Sequence, residues 1–213
     1  VSYIHVDGGA SICRSSQALA GLQRKRSVQD ERLIELIRLA SPSKRLLVLD
    51  ARPAKSAMAN AIAGAGFMLI EHYTECDRAY LGIENVHAVR DSYLQIFAAL
   101  GKGHSLRTAK ARAGWIGHYE TLMKGTQLIM QSILDGTAVL VHCSDGWDRT
   151  AQLVSLAQIC LDPYYRTVNG LIALIEKDWL AAGHQFDLRL ARGAGINTLD
   201  SGDSMGGIVG KFI

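Results

Sequence analysis

Apolar residues fall into two kinds of run along this chain. Two runs are short and unbroken: residues 45–49 (RLLVL), ending at Asp50, and residues 138–141 (AVLV), ending at His142. Runs of this kind read as strands of a parallel sheet, buried on both faces. Elsewhere the period is helical. Over 27–40, Val28, Leu33, Leu36, Ile37 and Leu39 recur near helical spacing. Asp30 and Glu31 fall in that segment's first turn and Arg38 in its last, which suits the helix dipole. Segments 88–100, 115–134 and 167–182 are further helices. Strands alternating with helices predict an α/β layered fold.

Past Arg149 the pattern is plainest. Leu153, Leu156, Ala157, Cys160 and Leu161 repeat at helical spacing, so Cys160 is expected on a buried face. Asp162-Pro163 ends that helix, because a residue before proline avoids the α region. Cys143 therefore follows a strand, and the loop after it runs into a helix N-terminus. The Gly- and Ser-rich stretch from Arg192 on reads as a loop, with GIVGKFI starting another helix. The pairs Gly64/Gly66 and Gly101/Gly103 punctuate loops and match no nucleotide-binding fingerprint.

The length of 213 residues suits one domain or one and a half, and 48% apolar residues suffice for a core. A net charge of +3 does not point to nucleic acid, and the longest like-charge block, Arg24-Lys25-Arg26, is no basic arm. No apolar run is long enough for a transmembrane segment. No signal peptide is visible in the opening VSYIHVDGG. Four cysteines (Cys13, Cys76, Cys143, Cys160) without a C-x-x-C pair fit reduced thiols in a cytoplasmic protein.

The chemistry lies in VHCSDGWDRTAQL, residues 141–153. A thiolate is the reactive form of cysteine, and a helix N-terminus favours it through unpaired N–H groups. Those groups also bind phosphate, and an arginine adds a planar fork for two phosphate oxygens. The Cys143-x5-Arg149 spacing wraps backbone amides around one phosphoryl group, with the thiolate beneath the phosphorus. Attack gives a phosphocysteine that water hydrolyses. No metal or cofactor is required. The leaving oxygen must be protonated, and Asp145 or Asp148 is in place as general acid. Thr150 is in place to donate a hydrogen bond to the thiolate. The plainer reading of both aspartates is helix capping or an ion pair with Arg149. Trp115 and Trp179 read as core, and Trp147 as shaping the loop. His87, His118 and His184 read as structural, and Lys124 and the 24–26 run as solvated.

HCSDGWDRTAQ resembles the active-site signature of the myotubularin family, phosphoinositide 3-phosphatases with a cysteine-phosphatase fold. The likeness extends through Asp162, YYRT, Gly170 and EKDWLAAGHQF. Upstream, SYIHVDGGASICRSSQALAG resembles the family's strand and turn, and KRSVQDERL its following helix. DARPAKSAMAN resembles its DARP segment, and ENVHAVRDS a further strand leading into a helix. The resemblance implies a central sheet flanked by helices, with the phosphate-binding loop between a strand and a helix. It implies Cys143 as nucleophile, Arg149 as clamp, and Ser144, Asp145, Gly146, Trp147 and Asp148 around the 3-phosphate. The family places its general acid at Asp148. Asn60, Asn85 and Arg189 match family positions near the inositol head group.

The family usually has arginine at Gln185, which implies a preference for the 3-monophosphate over the 3,5-bisphosphate. Family catalytic domains are longer and usually follow a lipid-binding domain of pleckstrin-homology type. Residues 1–213 are thus expected to be the core of such a domain without its flanks. The implied partners are a phosphoinositide head group at an endosomal-type membrane surface, and a homo- or heterodimer with family members. Three alternatives stand: a protein tyrosine or dual-specificity phosphatase, which shares the loop chemistry; a catalytically silent binding partner; and a metal site on His142, Cys143 and Asp145.

Overall fold

The computed structural model describes residues 1–189 apart from 21, 22, 24, 25 and 67. Among the described residues the chain divides into two compact units: Val1–Ile83 with Thr121–Gly183, and Glu84–Glu120 with His184–Arg189.

The first unit is built on a five-stranded sheet. Its strands are β1 (Tyr3–Ile4), β2 (Ser11–Ser15), β3 (Leu46–Asp50), β4 (Cys76–Tyr80) and β5 (Ala138–His142). Their order across the sheet is β1-β2-β5-β3-β4. All neighbours are parallel except β1 and β2. Both apolar runs became the inner strands β3 and β5, and every residue of β5 is buried. Their mixture of side chains divides cleanly by face. Val139 and Val141 pack with Leu49, Leu153 and Ile129; Ala138 and Leu140 pack with Val48, Cys13 and Ile34. The pattern along the chain did not foresee β4, because an edge strand with one covered face tolerates the polar sequence CDRAY.

Helix α1 (Val28–Ala40) starts where expected, capped by the Ser27 hydroxyl, which accepts from Asp30 N–H. Ile34 and Arg38 are buried and Ile37 half-buried, while Val28, Leu33, Leu36 and Leu39 are exposed. Apolar residues lie around most of this helix, so periodicity alone could not select the side. Arg38 can be buried because Glu35 and the Lys44 carbonyl accept from its guanidinium. Helix α2 (Ala54–Ile62) follows β3 and buries Ala57 and Ala61.

In the second unit, α3 (Val86–Gly101) and α4 (Leu106–Arg112) enclose Ile96, Ala109 and Ala113, with Trp115 packed against them. Over ENVHAVRDS (84–92), where the resemblance implied a strand leading into a helix, the helix is present as α3 from Val86, and no strand precedes it there. Helix α5 (Trp115–Leu134) has the expected bounds, and its later turns place Ile129 and Ile133 against the sheet in the first unit.

Helix α6 (Arg149–Leu161) is buried on nearly every side through its first three turns, by Thr150, Ala151, Leu153, Val154, Ser155, Ala157 and Gln158. Cys160 lies in the last turn and is exposed, which corrects its expected core placement. The predicted helix over 167–182 is α7 (Val168–Ile175), continued by a π-helical turn, Glu176–Leu180. Gly170 permits the chain's close return there, since a Cβ would lie 1.9 Å from the Tyr164 carbonyl oxygen. A short α8 (Phe186–Arg189) belongs to the second unit. The expected loop and helix beyond Arg192 lie outside the described residues.

Candidate active site

Cys143 is the first residue past β5, and its buried side chain continues the Val139–Val141 face. Residues 143–148 then lead directly into α6. Within that loop Gly146 adopts φ +87°, a conformation that L side chains rarely take. A Cβ on Gly146 would also lie 2.6 Å from the Ser15 carbonyl oxygen. The turn so formed lets Gly146 N–H donate to Cys143 Sγ at 3.3 Å.

The loop is fastened from outside by β2 and by the segment after it. Gln17 N–H donates to the Ser144 carbonyl at 2.9 Å. Gln17 Oε1 in turn accepts from Arg52 and, at 3.0 Å, from Asn60 Nδ2. Asn60 Nδ2 also lies 3.4 Å from Ser144 Oγ. Arg52 has no exposed surface; Asp50 accepts its guanidinium through both carboxylate oxygens at 2.8 and 2.7 Å. A second support comes from Arg14, which donates to the Gly146 carbonyl and to Asp178. Asp50 is thus placed as an anchor for Arg52.

Arg149, the first residue of α6, is half-buried and donates only to neutral oxygens. These are the Ile83 carbonyl and Ser144 Oγ, both at 3.3 Å. Among the described residues no carboxylate pairs with it, so the plainer ion-pair reading of Asp145 and Asp148 is not realised. Nor does Asp148 cap: it occupies the N-cap position of α6 at φ −99°, ψ −87°, and its side chain makes no cap hydrogen bond. Asp148 and Trp147 are half-buried, and Asp145 is exposed.

Thr150 is fully buried, and its hydroxyl has no hydrogen-bond partner. The expected bond from Thr150 to the sulfur is therefore not formed here, and Gly146 N–H is the donor instead. His142 is buried beside Asp50, with Nε2 3.9 Å from Asp50 Oδ2 and Nδ1 3.1 Å from the Cys143 carbonyl. Burial lowers the His142 pKa against the opposing pull of Asp50, favouring the neutral ring. Among the described residues no three His, Cys, Asp or Glu side chains are grouped to hold a metal ion.

The expected site residues are thus divided. Cys143, Ser144, Asp145, Gly146, Trp147, Asp148, Arg149 and Thr150 form one continuous loop and helix start, and Asn60 joins them through Ser144. Asn85 and Arg189 belong to the second unit. There, Asn85 Oδ1 accepts from Ala88 N–H and caps α3. Arg189 ends α8, and its backbone N–H donates to the Gln185 carbonyl.

Reading along the chain gave no role to Arg14, Gln17, Arg52 or Asp178, which hold the loop. Their only signal was a buried-strand boundary followed by charged or amide residues, as in RSSQ and DAR.

A sulfur accepting from a backbone amide, a helix N-terminus and a guanidinium without a carboxylate partner together suit an oxyanion ester. The mixed α/β fold, a five-stranded sheet with helices, fits a phosphatase-like class. The chain matches the Myotubularin-like phosphatase domain over residues 1–207 and belongs to that family. It is 42% identical over 195 residues to phosphatidylinositol-3-phosphate phosphatase MTMR7 of Pongo abelii, covering 89% of this chain and 29% of that protein. Phosphatidylinositol-3,5-bisphosphate 3-phosphatase MTMR6 of Caenorhabditis elegans is 40% identical over 202 residues, covering 92% and 30% respectively. Phosphatidylinositol-3,5-bisphosphate 3-phosphatase mtm-1 of the same organism is 41% identical over 200 residues, covering 91% and 33%. The chain thus spans about a third or less of the length of these relatives.

Proposed function

We propose that this chain is the core of a phosphoinositide 3-phosphatase. It would remove the 3-phosphate of phosphatidylinositol 3-phosphate, and to a lesser degree that of the 3,5-bisphosphate. The observation that carries the reading is the placement of Cys143 Sγ against Gly146 N–H at the head of α6, whose first residue, Arg149, meets no carboxylate among the described residues. The relatives' names supply the substrate class.

In this reading the Cys143 thiolate attacks phosphorus as the bond from phosphorus to the inositol oxygen breaks. Asp148 gives its proton to that departing oxygen. A water then attacks the phosphocysteine and gives a proton to Asp148. The S–P bond breaks, releasing phosphate and restoring the thiolate. Loop amides and Arg149 hold the phosphoryl oxygens throughout, supplying the positive charge where negative charge concentrates. Asp148 is preferred over Asp145 because it stands at the helix head, half-buried and not engaged in capping.

No helix among the described residues is long and apolar enough to cross a membrane. Peripheral contact with an endosomal-type surface, where the head group is presented, fits this reading. The test is phosphate release from phosphatidylinositol 3-phosphate in vesicles, beside other phosphoinositides and a phosphotyrosine peptide, with Cys143→Ser as blank. Release confined to the 3-phosphorylated lipids and abolished by Cys143→Ser is expected. Preferential release from the peptide would move the chain to the protein phosphatases.

A further inference from the structure

Asp178 is a buried carboxylate that the proposed reaction does not use. It lies in the π-helical turn Glu176–Leu180, a rare conformation that recurs at functional sites. Ser2 Oγ donates to it at 2.7 Å and Gln158 Nε2 at 2.8 Å, so its orientation is set from β1's side and from α6. Arg14 Nη1 reaches both its backbone carbonyl and Oδ1, the latter at 3.2 Å. The other end of the same guanidinium, Nη2, donates to the Gly146 carbonyl.

That last contact has a geometric consequence. No peptide bond among the described residues is cis. In a planar trans peptide the carbonyl and the next N–H point in opposite directions. Holding the Gly146 carbonyl toward Arg14 therefore turns the Trp147 N–H away from β2. Gln17 N–H does the same to the preceding unit, holding the Ser144 carbonyl and turning the Asp145 N–H away. Gly146 N–H itself faces the sulfur. A glycine at φ +87° has no Cβ to lock its flanking peptides, so an outside hold is what selects this arrangement.

We infer that Arg14, fixed by Asp178, is a positioning residue that aims the Trp147 amide into the oxyanion cradle of the 143–149 loop. The inference rests on the proposed reading of that loop. It predicts that the conformation of the loop answers to a carboxylate on the π-turn, although no residue of that turn enters the loop.

The test is Arg14→Lys in the full chain. Lysine keeps the charge beside Asp178 but has no fork to span both the carboxylate and the Gly146 carbonyl. Backbone amide NMR spectra of the two proteins are compared, first without ligand. Shifted or broadened Asp145, Gly146 and Trp147 signals, with β5 and α6 unchanged, are expected. A loop spectrum that overlays the wild type overturns the inference. Titration with inorganic tungstate as oxyanion probe is the second arm. The affinity of Arg14→Lys is expected to fall at least tenfold, with the midpoint of thermal unfolding near the wild-type value. Equal affinity overturns the inference. Failure of wild type itself to bind tungstate would remove the oxyanion reading of the loop, and the ligand-free spectra would still decide whether Arg14 orients it. Should Arg14→Lys prove poorly folded, Asp178→Asn, which keeps an oxygen for Arg14 but loses the charge, is read in the same two ways.

Discussion

Gly146 N–H points at Cys143 Sγ from 3.3 Å, and only a glycine can bring it there. The position needs φ +87°, and a Cβ would meet the Ser15 carbonyl oxygen at 2.6 Å. Gly146→Ala must therefore move the loop away from β2 and take the amide off the sulfur. Backbone strain of this kind costs about 1–3 kcal/mol. Loss of one preorganised donor costs on the order of 100-fold or more in rate. The expected result is a folded protein, mildly destabilised in urea, with turnover of phosphatidylinositol 3-phosphate cut at least that far. Near-normal turnover would show that this amide does not serve the sulfur.

The assignment of the acid can be separated from general damage to the loop by choice of leaving group. Asp148→Asn should slow hydrolysis of the inositol lipid by about 10²–10⁴-fold, the usual contribution of a positioned acid. It should slow p-nitrophenyl phosphate far less, because nitrophenolate departs without a proton. Asp145→Asn, altering an exposed side chain, should show no such contrast. If the contrast appears with Asp145 instead, the two roles are exchanged.

The parts of this architecture that were readable along the chain are those where local pattern and burial agree. The runs at 45–49 and 138–141 are apolar because both faces of inner parallel strands are covered, and they form most of β3 and β5. The loop after β5 was readable because one short segment carries all of its groups. What failed was the choice of face. Helix α1 turns Ile34 and Arg38 inward, because an arginine with two partners can be buried in place of a leucine. In α6 nearly every side is covered, so periodicity could not warn that Cys160 is the residue left outside. The holding residues Arg14, Gln17, Arg52 and Asp178 were unreadable for a different reason. What each holds lies far off in sequence: Arg14 and Asp178 are 164 residues apart, and Arg52 and Gln17 35.

Asp50 and Arg52 test the structural half of that account. Both are fully buried, and each satisfies the other. Asp50→Ala strands a guanidinium in the core, and breaking a buried pair on one side costs about 3–5 kcal/mol. Because Arg52 also holds Gln17, the same change should loosen the Ser144 end of the loop. Urea denaturation is expected to show a loss of about 3–5 kcal/mol. A change below about 1 kcal/mol, the range of exposed pairs, would mean the pair is not buried in solution.

The resemblance at GHQF implies that Gln185 bears on substrate choice. Myotubularin-family proteins usually carry arginine there, and a guanidinium grips a phosphate through two parallel hydrogen bonds that an amide cannot supply. Gln185 is exposed, and its replacement is expected to leave the protein folded. Gln185→Arg is expected to raise kcat/KM on the 3,5-bisphosphate about 5- to 10-fold, the scale of one added charge-assisted contact, and to leave the 3-monophosphate nearly unchanged. Equal gains on both lipids would point to general attraction to an anionic surface.

His142 gives the protein a defined response to acid. Burial lowers its folded pKa below the ordinary histidine value of about 6.5, with Asp50 3.9 Å away acting in the opposite sense. As pH falls below about 6.5, the unfolded chain takes up a proton on this ring that the folded chain refuses. The stability present above that pH is therefore lost progressively as pH drops toward the folded pKa, with a slope of up to about 1.4 kcal/mol per pH unit for one group. His142→Gln removes the titrating group from the core and should flatten that part of the profile. The comparison is unfolding free energy in urea at closely spaced pH values from 7.5 to 5 for both proteins. If the two profiles stay parallel through the interval, His142 is not the group that refuses the proton. If they converge as pH falls, the ring between Asp50 and Cys143 is held neutral by the fold.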